Sequence, residues 1–207
     1  MATHLHTEIE KLRLWQSTDG NLDPYSAYGG WWSGIVPAAK QFIETSVFLN
    51  WSSTDVDDLL FAIARDSADH LVELVAQDSE RLLTLSEHAL VSGEPDARWP
   101  LAVVLGALRS RQAEAEALLV RFANDPEEYV SRRALLALAA LKSSVVPTLA
   151  ERAWKTGHEY QRIAALAALK EVGSDLLPRY LAEAHKDGRP YLVQNARRLE
   201  TETQGAA

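Results

Sequence analysis

Apolar residues recur three and four positions apart through most of the second half of the chain. Because residues at this spacing lie on one face of an α-helix, they predict a series of helices with one buried side. The clearest stripe predicts a helix ending near residue 141 and consists of Val130, Ala134, Leu135, Leu138 and Leu141. A shorter stripe after the Ser143-Ser144 turn contains Leu149, Ala153 and Trp154. Together the two stripes predict a helical hairpin.

This hairpin repeats along the chain with a period of 31 residues. A shift of 31 positions superimposes residues of the same type at many places, among them Tyr129, Tyr160 and Tyr191, Pro147 and Pro178, and Gly157 and Gly188. Self-similarity at a fixed period of this size is the sequence signature of a solenoid. The prolines and glycines mark the start and the end of the second helix in each unit. We therefore predict an all-α solenoid over residues 55–207, with its clear repeats at 95–203.

Two predictions concern the boundaries of helices in the array. Asp125 is expected to cap the first helix of its unit, and Ser174 the second helix of the next, because short polar side chains accept hydrogen bonds from free amides there. The last unit is expected to stop after one helix, Tyr191–Glu200, with a frayed tail at Thr201–Ala207. A shortened terminal unit suits a solenoid because its outer face meets water.

The run DPEEYVSRRALLALAAL, residues 125–141, resembles the HEAT or HEAT-like repeats of bacterial proteins. The proline-bearing second helix and the 31-residue period are similar to that family as well. The resemblance implies a right-handed α-α superhelix, with first helices on the convex side and second helices lining a concave groove. It also implies binding rather than one particular chemistry. The family's Asp and Arg ladder is partly matched, because Asp125 and Arg132 or Arg133 are present whereas Arg162 lacks an equivalent Asp.

Residues 1–54 do not repeat and are predicted to form a helical cap with an aromatic loop. Leu5, Ile9 and Leu12 predict a helix over residues 1–14, and a second helix is expected from about Pro37 to Leu49. The segment between them contains the turn pairs Asp-Gly, Asp-Pro and Gly-Gly, which predict a loop over residues 15–34. Its aromatic residues are Trp15, Tyr25, Tyr28, Trp31 and Trp32. They either close the open end of the solenoid or bind a partner, since exposed Trp and Tyr are common binding anchors.

The net charge of −8 is concentrated in the first half of the chain. Residues 1–94 contain 15 acidic and 5 basic residues, and residues 95–207 contain 14 acidic and 16 basic residues. Nucleic-acid binding needs a surplus of Lys and Arg to neutralise phosphates, so nucleic acid is an unlikely partner. A basic or mixed-charge protein suits the chain better.

The composition and the motifs also bear on location and chemistry. No cysteine is present, which excludes disulfides, thiolate zinc sites and a cysteine nucleophile. No signal peptide and no membrane-length apolar run stand out, so a cytoplasmic protein without a membrane association is expected. His4 and His6 lie where a frayed end is expected, and His70 with Glu73 more simply faces water. We therefore predict no catalytic residue, no metal site and no cofactor.

The repeat also helps to distinguish structural residues from residues that bind a partner. The recurring Tyr and Arg residues of the first helices are predicted to be structural, because packing repeats with the unit whereas a binding site usually does not. The second helices carry polar residues of mixed sign on their solvent side, which suits a protein surface. With the five aromatic residues, they form the predicted partner-binding set: Glu151, Arg152, Lys155, Arg179, Glu183 and Lys186.

These observations favour a non-enzymatic protein-binding solenoid. Within that class we predict a bacterial immunity-type inhibitor that neutralises a toxin partner by direct binding, by analogy with small HEAT-like immunity proteins. Three alternatives stay open. They are a HEAT-like enzyme or nucleic-acid-binding protein of the DNA-alkylation-repair glycosylase type, one of the bilin lyase type, and a scaffold subunit of a larger complex.

Overall fold

The computed structural model describes residues 3–18, 24–66, 68, 70–92 and 94–204, apart from the side chains of residues 16, 18, 24–32, 203 and 204. These residues form twelve α-helices and two short 3₁₀ turns, and no strand occurs among them. The predicted all-α fold is confirmed. The chain divides into two compact units, Met1–Leu101 and Ala102–Ala207, and each is described by itself.

The first unit contains five helices and the beginning of a sixth. They are α1 (His4–Thr18), α2 (Pro24–Thr45), α3 (Ser53–Ile63), α4 (His70–Val75), α5 (Ser79–Ala89) and α6 (Arg98–Ala107). Ser52 and Asp55 form a capping box at the start of α3, which satisfies two backbone amides reciprocally. Leu5 and Ile9 of α1 are fully buried, so this helix packs against the core of the unit.

The predicted aromatic loop is wrong, because helix covers most of that segment. Helix α1 continues past Trp15 to Thr18, and α2 begins at Pro24 and runs through Pro37. Each glycine in a helix costs about 1 kcal/mol relative to alanine. The buried positions of α2, which include Ile35 and Ile43, offset that cost, because packing of an apolar face contributes more to a helix than local propensity does.

From His4 onwards the chain is likewise helical, so His4 and His6 do not lie in a frayed end. The Nδ1 atom of His6 lies 2.7 Å from Oδ2 of Asp58, whose side chain is almost completely buried. Burial raises the pKa of Asp58, and the hydrogen bond and charge of His6 oppose that rise. The pair therefore links α1 to α3 through a carboxylate shielded from water.

The second unit contains the repeated hairpins. After the rest of α6 come α7 (Gln112–Phe122), α8 (Glu128–Ala140), α9 (Val146–Lys155), α10 (Glu159–Glu171), α11 (Leu177–Asp187) and α12 (Pro190–Gln204). Helices α8, α10 and α12 begin 31 residues apart, and so do α9 and α11. Helix α10 packs against α8, α9, α11 and α12. The equivalent helices therefore stack side by side, as a solenoid requires.

Left-handed backbone positions close the helices at matching places. Gly157 and Gly188, the two predicted helix ends, have φ values of 76° and 79°. Inside the hairpins, Gly173 has a φ of 66° and donates a hydrogen bond to the carbonyl of Lys170 over 3.0 Å. The equivalent position one unit earlier is Lys142, with a φ of 57°. A non-glycine residue in this conformation is strained, because its Cβ crowds a backbone oxygen.

Three boundary predictions need correction. Helix α8 has Glu127 at its N-cap, and Asp125 instead accepts a hydrogen bond from the Glu127 amide over 2.9 Å. Ser174 acts in the same way two residues ahead of α11, whose N-cap is Leu176. The last helix continues to Gln204, and residues 205–207 of the predicted frayed tail lie outside the described residues.

Polar contacts between repeats hold the last hairpin in place. Asp187 binds the guanidinium of Arg162 and accepts hydrogen bonds from Arg189 at 2.6 and 2.7 Å. The hydrogen bonds and charge of Arg189, with the charge of Arg162, lower the pKa of Asp187 to about 2. As expected, the position equivalent to Asp125 in the unit of Arg162 is not an Asp but Thr156. Arg162 instead pairs with Asp187, which occupies that position one unit later.

Candidate functional site

Helices α9 and α11 form one continuous surface through contacts between their side chains. The rings of Trp154 and Tyr180 lie 4.8 Å apart, and both side chains are buried, at 6% and 2% exposure. The hydroxyl of Tyr180 donates a hydrogen bond to Oε1 of Glu151 over 3.1 Å. Burial raises the pKa of Tyr180, and this hydrogen bond raises it further. Glu151 therefore links α9 to α11, and the two helices are packed firmly beneath the exposed side chains.

The exposed side chains of this surface are mainly cationic. Arg179 pairs with Glu183 at 3.0 Å. Lys155 and Lys186 occupy the same position in successive repeats, and both are exposed. Neither lysine has an acidic partner within 4.0 Å among the residues that the structure describes. The charges of mixed sign predicted for this face therefore have different roles. Glu151 bonds to Tyr180 within the surface, Arg179 and Glu183 form an ion pair, and the other cations face solvent.

Arg152 of α9 is held by neutral groups. Its Nη1 donates to Oδ1 of Asn124 over 2.5 Å, and its Nη2 donates to the carbonyl of Ala123 over 2.7 Å. Both acceptors lie just after α7, so the guanidinium bridges two hairpins. Within the described part of the chain, no carboxylate lies close enough to pair with it. Arg152 is therefore fixed in position while its charge stays uncompensated.

The Arg152 side chain borders a cleft of about 430 Å³ inside the second unit. Its apolar lining comes from Leu135, Leu149 and Ala153, which are nearly buried. The polar lining comes from both ends of the neighbouring helices: Asn124, Asp125, Glu128, Ser131, Arg152, Thr156, His158 and Gln161. A cleft of this size lies within the range of small-ligand pockets, which usually combine apolar walls with a few fixed polar groups.

Gln161 departs from the repeat inside this cleft. The equivalent residues in the neighbouring units are Val130 and Leu192, both buried and apolar. The Gln161 amide donates to Oγ of Ser131 over 2.9 Å and to the carbonyl of Glu128 over 3.3 Å. Sequence reasoning missed the cleft, although a polar residue at a position that is otherwise apolar is a signal that could have indicated it.

The recurring Tyr and Arg residues of the first helices form part of another face. Tyr129, Tyr160 and Tyr191 are 37%, 52% and 60% exposed. The guanidinium of Arg132 lies 4.8 Å from the Tyr129 ring centre and 5.4 Å from that of Tyr160, and it pairs with Glu128 at 3.0 Å. These contacts fit the structural role predicted for the series, which stays a prediction for Tyr191.

Basic residues of the first unit have their charges neutralised nearby. Every Lys or Arg between residues 1 and 94 pairs with a carboxylate of the same unit: Lys11 with Glu8, Arg13 with Glu10, Lys40 with Glu44, Arg65 with Glu94, and Arg81 with Asp78. The exposed carboxylates of Glu73 and Glu80 have no cationic partner among the described residues. The first unit therefore presents a negative surface, whereas the α9–α11 surface is positive.

The predicted aromatic site is described only in part. Trp15 lies on α1 and is partly exposed. Tyr25, Tyr28, Trp31 and Trp32 belong to α2, and their side chains lie outside the described residues. Their role in partner binding stays a prediction.

Searches for a metal cluster and for a membrane span cover the same part of the chain. No group of three His, Asp or Glu side chains there is arranged to hold a metal ion. None of the helices in the described ranges combines the length and the apolar character that a membrane crossing needs.

Comparison with known proteins identifies the repeats. A family model described as HEAT repeats matches residues 82–170 and residues 115–198, which together span more than half of the chain and include α7 to α11. Searches of curated proteins and of solved structures gave no significant match.

Proposed function

Because the chain belongs to the HEAT-repeat family, we propose that it is a non-enzymatic binding protein whose α9–α11 surface holds a protein partner. One observation carries the proposal. Three cations on this surface, Arg152, Lys155 and Lys186, have no carboxylate partner among the described residues. Elsewhere in the unit Arg132, Lys142, Arg162 and Lys170 each have one, whereas Arg109 and Arg197 have none within the described part of the chain. Solvent-facing charges that no carboxylate neutralises are available for electrostatic recognition of a partner.

The support beneath these cations favours binding as well. The Trp154–Tyr180 contact and the Tyr180–Glu151 hydrogen bond fix the two helices. A preorganised surface loses less conformational entropy on association than a mobile one. The surface therefore suits an acidic patch on a folded partner.

The charge of the whole chain narrows the partner further. With a net charge of −8, the protein repels a polyanion at long range, which argues against nucleic acid. Acidic groups of a partner suit the α9–α11 surface, and basic groups suit the first unit, each unit taken by itself. We propose a mixed-charge protein as the partner.

At a finer level, we propose that the partner is a toxin and that the protein acts as an immunity-type inhibitor. The acidic charge of this solenoid supports that assignment, by analogy with small HEAT-like immunity proteins. Inhibition would then follow from surface complementarity alone.

The binding proposal is tested by charge reversal. The partner is captured from the native host with the product of the neighbouring reading frame as first candidate, and the purified pair is titrated by calorimetry. Changing Lys155→Glu and Lys186→Glu together should weaken binding at least tenfold, because each opposed charge pair turns repulsive. The matched control is Arg109→Glu with Arg197→Glu, two exposed cations elsewhere in the same unit. Equal affinity of both double variants would contradict the proposed surface.

The inhibitor proposal has a separate test. Expression of the candidate toxin should arrest growth, and co-expression of the wild-type chain should restore it, whereas the Lys155→Glu/Lys186→Glu variant should not. If the two proteins bind but growth is not restored, the immunity assignment fails while the binding proposal stands.

A further inference from the structure

The cleft beside α9 has a chemistry more specific than that of the surrounding surface. We infer that it is a recognition site for a carboxylate joined to an apolar group. The inference goes beyond the proposed function, since it stands whether the carboxylate belongs to a protein chain or to a small molecule.

The N–H donors of Arg152 indicate which polar group a ligand would place in the cleft. Two carboxylates border the cleft, but both are engaged, since Glu128 pairs with Arg132 at 3.0 Å and Asp125 accepts the Glu127 amide at 2.9 Å. The guanidinium of Arg152 has only an amide oxygen and a backbone carbonyl as its acceptors. These two hydrogen bonds use two of its five N–H donors. Asp125 keeps its negative charge, because a backbone amide does not neutralise a carboxylate, so the lining carries charges of both signs. The remaining N–H donors of Arg152 fit a carboxylate, the acceptor that a guanidinium binds best.

A second element of the cleft also favours an anion. His158 and Gln161, both in the lining, lie at the N-terminal end of α10. Amides in the first turn of a helix have no partner within the helix, and the helix dipole is positive at that end. The Gln161 side chain is already committed to Ser131 and to the Glu128 carbonyl, so it shapes the wall. The end of α10 thus adds to the field of Arg152, although the carboxylate of Glu159 in the same turn offsets part of it.

The size and the apolar wall of the cleft indicate that the ligand also carries an apolar group. Leu135, Leu149 and Ala153 form an apolar wall in the cleft of about 430 Å³, which is larger than a carboxylate alone needs. An aliphatic or aromatic group next to the carboxylate would cover these side chains and exclude water from the charge pair. Gln161 is particular to this unit, since Val130 and Leu192 occupy the equivalent positions. Arg152 matches Arg121 in the preceding unit and is replaced by Glu183 in the next.

The experiment compares two probes that differ only in charge. The full-length protein labelled with ¹⁵N is titrated with N-acetyl-leucine and, separately, with its neutral analogue N-acetyl-leucinamide. The acid should shift the side-chain amide resonances of Asn124 and Gln161 and saturate with a Kd on the order of 1 mM. The amide should bind at least about tenfold more weakly, because a charge-assisted hydrogen bond to Arg152 is lost. Equal shifts from the two probes, or no shift from either at about 20 mM, would overturn the inference.

Two variants locate the effect. Arg152→Gln keeps a side chain that can still donate to the Ala123 carbonyl but removes the charge, and it should abolish the preference for the acid. Arg197→Gln removes an exposed charge of α12 and should bind the acid as wild type does. If Arg152→Gln melts at a lower temperature, the comparison of the two probes on the wild-type protein still decides the matter, since it needs no substitution.

A further arm separates the sources of the carboxylate. An eight-residue peptide ending in leucine is titrated with a free C-terminus and with an amidated one. Tighter binding of the free peptide than of N-acetyl-leucine assigns the cleft to a chain terminus, and equal binding assigns it to a small carboxylic acid. If a protein partner binds the wild-type protein and the Arg152→Gln variant equally, the proposed function still holds, but the cleft is not part of that interface.

Discussion

Gly106 offers a direct test of how closely the helices of the second unit pack. A Cβ atom added at Gly106 would lie 2.7 Å from Cβ of Ala137 and 2.8 Å from its Cα. Helices α6 and α8 therefore approach each other at a point where no side chain fits between them. The substitution Gly106→Ala has two opposing effects on stability, a gain in helix propensity and a steric clash with Ala137.

The magnitudes decide which effect is larger. Alanine stabilises a helix interior by about 0.8 to 1 kcal/mol relative to glycine. Overpacking a close contact costs roughly 1 to 3 kcal/mol. The upper part of that range applies here, because one of the clashing atoms belongs to the backbone of Ala137 and cannot rotate away. We expect Gly106→Ala to lower the free energy of unfolding by about 1 to 2 kcal/mol, which corresponds to about 2 to 8 °C in Tm.

A second glycine supplies the matched control. Gly34 also lies inside a helix, but a Cβ there would meet only the carboxylate end of Glu8, at 2.6 Å. That flexible side chain can move, so Gly34→Ala should leave stability unchanged or raise it by up to about 1 kcal/mol. Both variants are measured by urea unfolding followed by far-ultraviolet circular dichroism. A Gly106→Ala protein as stable as wild type, or a loss of equal size in both variants, would refute the reasoning.

Three further predictions concern strained or charged groups. Gly173→Ala should destabilise the protein by about 1 kcal/mol in urea unfolding, because alanine is strained at a positive φ although no atom lies near the new Cβ. Lys142→Gly relieves the same strain and should not destabilise the protein. An equal loss of stability in both variants would contradict this prediction. Asp187→Asn should cost about 1 to 2 kcal/mol above about pH 4. Since the pKa of Asp187 is lowered, the wild-type advantage should fade as the pH falls towards about 2, and an advantage independent of pH would refute the ion-pair account. His6→Ala should cost about 1 to 3 kcal/mol at neutral pH by leaving the buried Asp58 carboxylate unpaired, and less in acid, where that carboxyl, whose pKa is raised, becomes neutral; a loss that grows in acid would contradict it.

The repeat was readable from the sequence because the same physical constraint recurs in every unit. Each hairpin has to bury one apolar face and end its helices at the same depth. Gly157 and Gly188 were predicted as helix ends for this reason, and both adopt the left-handed conformation. The all-α fold and the HEAT-repeat assignment followed from the same periodicity.

Features that depend on tertiary contacts were not readable in this way. The segment from Pro24 onwards was predicted as a loop because its glycines and proline disfavour helix locally, but burial further along α2 overrides that preference. The cleft needs residues of α8, α9 and α10 and of the segment after α7 at once, and no local pattern places them together. The pairing of Arg162 with Asp187 joins α10 to the end of α11, and the periodicity alone does not show that these two side chains meet.

Hydrogen–deuterium exchange on the complex with the captured partner tests the central claim most directly, since it reports which backbone amides become shielded. The account predicts slower exchange in α9 (Val146–Lys155) and α11 (Leu177–Asp187) and at the cleft residues just after α7, with little change at Tyr129, Tyr160 and Tyr191. Slower exchange confined to the first helices of the repeats, with α9 and α11 unaffected, would contradict it.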